Sequence, residues 1–267
     1  MVKKSSSRKK SPHKSFKRTY REDYVRGLNV PGMGQHIVEA FQMLGRNWKV
    51  FGSLLILSAV LEILAVQTTE ETTAVFTILI FLMIWLTTIF LVRHIKAKHK
   101  VTLRDGLYNA MAPLIPTLIV FVVAVVECIP IFVLIIAYSA AVKTDFLTMP
   151  FYALMFFGFA GLMLTLSGYL LSSSLVALIA VSAPGIYPLS AFVTAAELMM
   201  GRKIRFVLRL IALMLVLAVM MAVVVLPLAA LKVPMEVLSV IVSFVGCFGA
   251  IYMTVYLYLY YRWLLDA

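Results

Sequence analysis

Glu127 is the residue whose type and setting most invite chemistry. It falls near the middle of an apolar stretch running from Leu114 to Tyr138. An ionised carboxylate at the centre of a bilayer costs at least ~2.5 kcal/mol, so a chain rarely keeps one there without use. Pro130, three residues on, has no N–H and crowds the preceding turn, which frees a backbone carbonyl at the same depth. A second apolar stretch supplies hydroxyls that could meet them, at Thr165, Ser167, Tyr169, Ser172, Ser173 and Ser174. Such a set could titrate a proton or coordinate an ion inside a helical bundle. The plainer reading is a protonated carboxyl hydrogen-bonded to a neighbouring hydroxyl. Glu127→Gln decides: the site reading fails if folding and every activity survive it.

Other chemistry is scarce. The chain has no Gly-x-Ser-x-Gly, no His-Glu-x-x-His, no phosphate-cradling glycine loop and no paired acids at catalytic spacing. We therefore expect no enzyme, no metal and no cofactor. The 4 histidines, His13, His36, His94 and His99, read as tail or cytoplasmic-surface residues. His94 and His99 stand among Arg93, Lys96, Lys98 and Lys100, which a metal cation would avoid. The 2 cysteines, Cys128 and Cys247, lie within apolar runs and read as small hydrophobes.

The elements that must position these residues follow from hydropathy. Six apolar runs stand out at about 50–66, 74–92, 114–138, 151–180, 206–227 and 237–260. Each is long enough to cross a ~30 Å hydrocarbon core as a helix. At 63% hydrophobic and 13% charged residues, the chain leaves no room for a separate soluble domain. Of 24 Lys and Arg residues, 22 fall on one side of the runs, leaving only Lys143 and Lys232 on the other. The positive-inside rule then places both termini in the cytoplasm. Glu62 lies near the outer end of the first run and can reach headgroups, and Arg209 can snorkel from the fifth run to the cytoplasmic interface.

Three shorter amphipathic stretches precede the odd-numbered runs. Ile37, Phe41, Leu44 and Trp48 form one stripe, Leu103, Leu107, Ala110 and Leu114 the next, and Phe192, Ala196, Met199 and Lys203 a weaker third. Thr102 with Asp105 makes a capping box for the second. A helix with an apolar stripe and cationic flanks lies flat among headgroups. The expected fold is thus all-α and integral to the membrane, occupying 35–264. Its six transmembrane helices form three hairpins, each entered by a cytoplasmic-side amphipathic interfacial helix, over about 35–92, 102–180 and 189–260. Gly158, Ala160, Gly161 and Gly168 in the fourth run, and Gly246 with Ala250 in the sixth, offer close helix packing. Tyr252, Tyr256, Tyr258, Tyr260, Tyr261 and Trp263 read as an aromatic belt at the cytoplasmic interface, the deeper ones facing other helices.

Residues 1–30 form a basic, Ser-rich tail that is too poor in apolar groups to fold and is expected to be disordered. Lys3, Lys4, Arg8, Lys9, Lys10, Lys14, Lys17 and Arg18 supply its charge. Tethered at a membrane, such a tail meets anionic headgroups sooner than nucleic acid, at ~1 kcal/mol per basic residue near the surface. A protein partner, if there is one, should dock on this built-up cytoplasmic side.

The sequence Ala180-Val-Ser-Ala-Pro-Gly, then Ala191-Phe-Val-Thr-Ala-Ala-Glu-Leu-Met-Met-Gly-Arg, with an amphipathic helix before each odd span, carries a family likeness. From about Gln35 to Tyr260 the chain resembles the membrane domain attached to some bacterial glycerophosphodiester phosphodiesterases, and its stand-alone relatives. The resemblance implies a bacterial inner-membrane module without the soluble catalytic domain, and supplies no activity of its own. The functional expectation is a non-enzymatic membrane scaffold, or a module handling lipid or a partner. The alternative is a small transporter or channel with a polar path around Glu127.

Overall fold

In hydrocarbon every backbone polar group must be bonded within its own segment, so long apolar runs fold as helices. A computed structural model describes residues 33–66, 70–144, 149–183 and 185–266. The expected disordered tail and its basic residues lie outside these. Ten helices are described: α1 (Met33–Arg46), α2 (Trp48–Val66), α3 (Glu70–Lys96), α4 (Leu103–Ala110), α5 (Leu114–Glu127), α6 (Ile129–Lys143), α7 (Pro150–Ala180), α8 (Pro188–Leu198), α9 (Lys203–Ala230) and α10 (Met235–Asp266). Five of them, α2, α3, α7, α9 and α10, are long and apolar enough to cross a membrane. A sixth span results if α4 and α5, which meet at a bend of 72°, are taken together. The protein is an all-helical, multi-pass membrane protein.

The third apolar run is not one helix. Pro130 cannot donate to the ladder and crowds the turn before it, and the helix breaks at Cys128 into α5 and α6. Beyond the break the Ile131 N–H turns to the Cys128 carbonyl at 2.9 Å.

Helix α10 is the hub, packing on α1, α2, α3, α7 and α9, while α7 packs on α5, α6, α8 and α9. Burial is concentrated toward one end. Leu82, Ile84 to Ile89, Leu91 and Val92 of α3, Leu175 to Ala180 of α7 and Tyr256 to Tyr260 of α10 are buried, whereas Val75 to Leu79 of α3, Phe151 and Leu154 of α7 and Val237 and Val240 of α10 are exposed. The buried end is also the basic end. Lys96 of α3 meets Glu39 of α1 at 2.6 Å, and Arg202 and Arg209, at and beyond the start of α9, lie over the rings of Trp263 and Tyr260.

The short helices dock on this end along stripes that share Leu44, Ala110 and Met199 with the expected ones but otherwise lie one position earlier. In α1 the buried positions are His36, Ala40 and Leu44, with Phe41 and Trp48 64% and 66% exposed. In α8 they are Ala191 and Ala195, continued by Met199 at the helix end, and Ala196 is exposed. In α4 they are Gly106 and Ala110. Spacing of four residues is kept, but small side chains face the bundle because they let backbones approach. The capping box forms as read: Thr102 Oγ1 accepts from the Asp105 N–H, and Asp105 accepts from the Thr102 N–H.

Small residues of the long helices behave unevenly. Nothing lies within 4 Å of the Cβ position at Gly158, Gly161 or Gly246, so these expected packing points make no close contact. Gly168 does, since a Cβ there would fall 3.2 Å from Val207 Cγ1 of α9.

Candidate functional site

Glu127 ends α5, where the Pro130 break leaves its backbone carbonyl without the Ile131 N–H. Ser167 of α7 takes the vacancy, its hydroxyl donating to the Glu127 carbonyl oxygen at 2.7 Å. Sequence anticipated a hydroxyl at this place, but it meets the backbone and not the carboxyl. The carboxyl Oε2 is buried with no hydrogen-bond partner. The other expected members do not converge on it. Thr165 is exposed and donates to the Gly161 carbonyl of its own helix, and Ser172 donates likewise to Tyr169. The Ser173 and Ser174 hydroxyls are buried without partners. The arrangement joins α5 to α7 at a helix break, and it forms no cluster of converging polar side chains.

Glu62 of α2 has a partner in the bundle, its carboxylate accepting from the Cys247 thiol of α10 at 2.9 Å. Cys247 is thus a hydrogen-bond donor between α2 and α10 as well as a small buried residue. The aromatic belt is in part a core: Tyr252, Tyr256, Tyr258 and Tyr260 are each at most 5% exposed.

Inside the basic end these tyrosines meet a residue that sequence placed at the surface. His36 of α1 is only 5% exposed, with its ring edge-on to Tyr256 and Tyr260 at centroid distances of 6.3 and 6.5 Å. Neither ring nitrogen has a hydrogen bond, and the Glu39 carboxylate stands 3.9 Å from Nδ1. Burial, then the positive charge of Arg209, hold the His36 imidazole below its ordinary pKa, with Glu39 pulling the other way and Lys96 adding to the depression. Arg209 does not extend outward; its guanidinium carbon lies 5.5 Å from the centre of the Tyr260 ring. The Tyr252 hydroxyl donates to the Ile37 carbonyl at 3.0 Å and locks α1 to α10.

This layer draws on α1, α3, α9 and α10, elements up to about two hundred residues apart in the chain. Its signal in sequence was His36 itself, lying four residues before Ala40 on the small-residue face. What the layer can do is hold one short helix against the bundle through an uncharged imidazole, beside cations that disfavour its protonation. Among the described residues no three His, Cys, Asp or Glu side chains are grouped to hold a metal ion. The sequence matches no family model, no curated protein and no solved structure.

Proposed function

We propose that the chain is a non-enzymatic, polytopic membrane module that engages lipid headgroups, or a protein held at that surface, through its basic face. In this reading the basic face is cytoplasmic, both termini lie on that side and the membrane is a bacterial inner membrane. The spans form three hairpins entered by α1, α4 and α8 as interfacial helices, and the basic tail adds attraction to anionic headgroups. The likeness to the membrane domain of glycerophosphodiester phosphodiesterases belongs to the same proposal.

One observation supports it above the others. The buried core, the helices α1, α4 and α8 and most of the cations gather at one end of the bundle, and Phe41, Tyr108 and Leu189 on those helices, with Trp48 at the start of α2, remain exposed. Exposed aromatic and aliphatic residues beside Arg46, Lys49 and Arg104 are what an interfacial helix presents to a bilayer surface. The transporter alternative rests on the single buried Glu127 oxygen and lacks converging partners.

The test places a cysteine at Glu127 in a chain with Cys128 and Cys247 replaced by Ala. A membrane-impermeant thiol reagent, applied to either side of sealed vesicles, is expected to leave position 127 unmodified. Labelling from either side would overturn the module reading in favour of a water-accessible path.

A further inference from the structure

At the basic end a cavity of about 480 Å³ opens between three segments. Arg93 and His94 of α3 line it, with Asn109 of α4, Pro116 of α5, and Ser182 and Ala183 beyond α7. We propose that this cavity binds the phosphate group of an anionic lipid headgroup, with Arg93 as its principal contact; this rests on the lipid-engaging function proposed above and supplies its site.

The charge pattern selects the ligand. No carboxylate lines the cavity, and among the described residues no carboxylate lies within ion-pair distance of Arg93. Its guanidinium rests beside the Phe90 ring, 5.9 Å from the centroid, with its planar fork of donors unspent on any acid. That fork matches two phosphate oxygens. The carbonyl ends of α3 and α7 bring roughly half a negative charge each. Arg93 together with Lys98 and Lys100 outnumbers them, Lys96 being paired with Glu39.

The cavity is also preformed. The carbonyl oxygen of Phe90 can only accept, so the His94 Nδ1–H donates to it at 2.9 Å, which fixes the ring at the cavity wall. Asn109 donates to the Asp105 carbonyl at 2.9 Å and Ser182 to the Ile179 carbonyl at 2.6 Å, which pins both side chains. Gly185 turns the chain beneath them with φ +84°, a left-handed conformation that other side chains rarely adopt.

Depth and size argue for a lipid over a free ion. Arg93 directly follows Val92, the fully buried last residue of an apolar run, which sets the guanidinium at the hydrocarbon boundary. A volume of this order accommodates a small organic ligand, well beyond a bare phosphate. The Pro116 and Ala183 walls offer apolar contact to the glycerol and upper acyl segments.

The experiment uses the full chain, delipidated in neutral detergent and titrated with phosphatidylglycerol, with phosphatidylcholine, and with inorganic phosphate, binding being read by native mass spectrometry. Arg93→Gln removes the proposed contact, Ala183→Phe fills the cavity from the opposite wall, and Lys143→Gln removes an exposed cation away from the basic face. Phosphatidylglycerol should bind the parent chain and Lys143→Gln alike, and bind Arg93→Gln and Ala183→Phe about ten- to a hundred-fold more weakly. Ala183→Phe leaves every charge in place, so it stands as the test should Arg93→Gln fail to fold. Phosphate competing at equal strength would overturn the lipid source while keeping the phosphate chemistry. Equal phosphatidylglycerol binding by the parent and both cavity variants would overturn the site alone. A parent chain that prefers neither lipid would overturn the lipid-engaging function on which the site rests.

Discussion

Gly106 offers a quantitative test of how the short helices dock. It lies in the middle of α4, where a Cβ would fall 3.1 Å from Leu91 Cδ2 and 3.3 Å from Thr87 Cγ2. Both neighbours are fully buried at 0% exposure, so neither can swing aside cheaply. Overpacking of this kind costs about 1–3 kcal/mol. Replacing Gly by Ala within a helix returns at most about 1 kcal/mol through backbone entropy, and a β-branched residue returns less. Gly106→Ala should therefore lie between neutral and about 2 kcal/mol destabilising, and Gly106→Val should cost about 2–3 kcal/mol. Gly45 of α1 is the internal control, since nothing lies within 4 Å of its Cβ position. Gly45→Ala should stabilise by up to about 1 kcal/mol. Thermal unfolding in detergent followed by tryptophan fluorescence reads the difference. For a domain of this size 2–3 kcal/mol corresponds to roughly 4–12 °C. If Gly106→Val melts with the parent, or if Gly45→Ala melts below it, docking through close small-residue contacts is wrong.

Two further outcomes follow from the polar layer and the helix break. The pKa of His36 is lowered in the fold, so its contribution is complete above the ordinary imidazole range and is lost as pH falls through and below it. Hydrogen exchange in α1 should accelerate between pH 7.5 and 5.5, after correction for intrinsic rates, and His36→Phe should abolish that change; protection that is independent of pH would refute it. Ser167→Ala removes the only described hydrogen bond to the Glu127 carbonyl and should cost about 1 kcal/mol in the same melting assay, whereas Ser172→Ala, which loses only a bond within its own helix, should be close to neutral. Equal effects of the two substitutions would show that the link between α5 and α7 carries no stability.

The parts of this fold that sequence disclosed are those set within a few residues. Apolar runs report spans because hydropathy is a property of the segment itself, and the Thr102 and Asp105 box reports a helix start because its partners lie three residues apart. The break at Cys128 belongs to the same class, since Pro130 causes it locally, yet the unbroken hydropathy of the run concealed it. Docking faces are legible at Leu44, Ala110 and Met199, which are buried as expected, but the rest of each stripe lies one position off because bulky residues dominate a hydrophobic pattern. Ala40, Gly106, Ala191 and Ala195 do the docking by being small. His36 was placed at the surface because Tyr256 and Tyr260, which bury it, are more than two hundred residues away. A separation of 185 residues likewise hid the contact between Glu62 and Cys247. The cavity beside Arg93 was invisible for a further reason, since a basic loop next to a span reads identically whether its arginine faces water or a pocket.

The uneven distribution of burial along the helices has a mechanical consequence. Helices α3, α7 and α10 are clamped where their side chains interlock at the basic end, and run free where Val75, Phe151 and Val237 are exposed. A rod held at one end moves least at the clamp and most at the tip, so the tilt of each free half is set by the lipid around it and by bilayer thickness. Thinning or thickening the bilayer then splays or straightens the free halves while the clamped end keeps its geometry. The protein is built as a fixed base carrying compliant arms, with α1, α4 and α8 on the base.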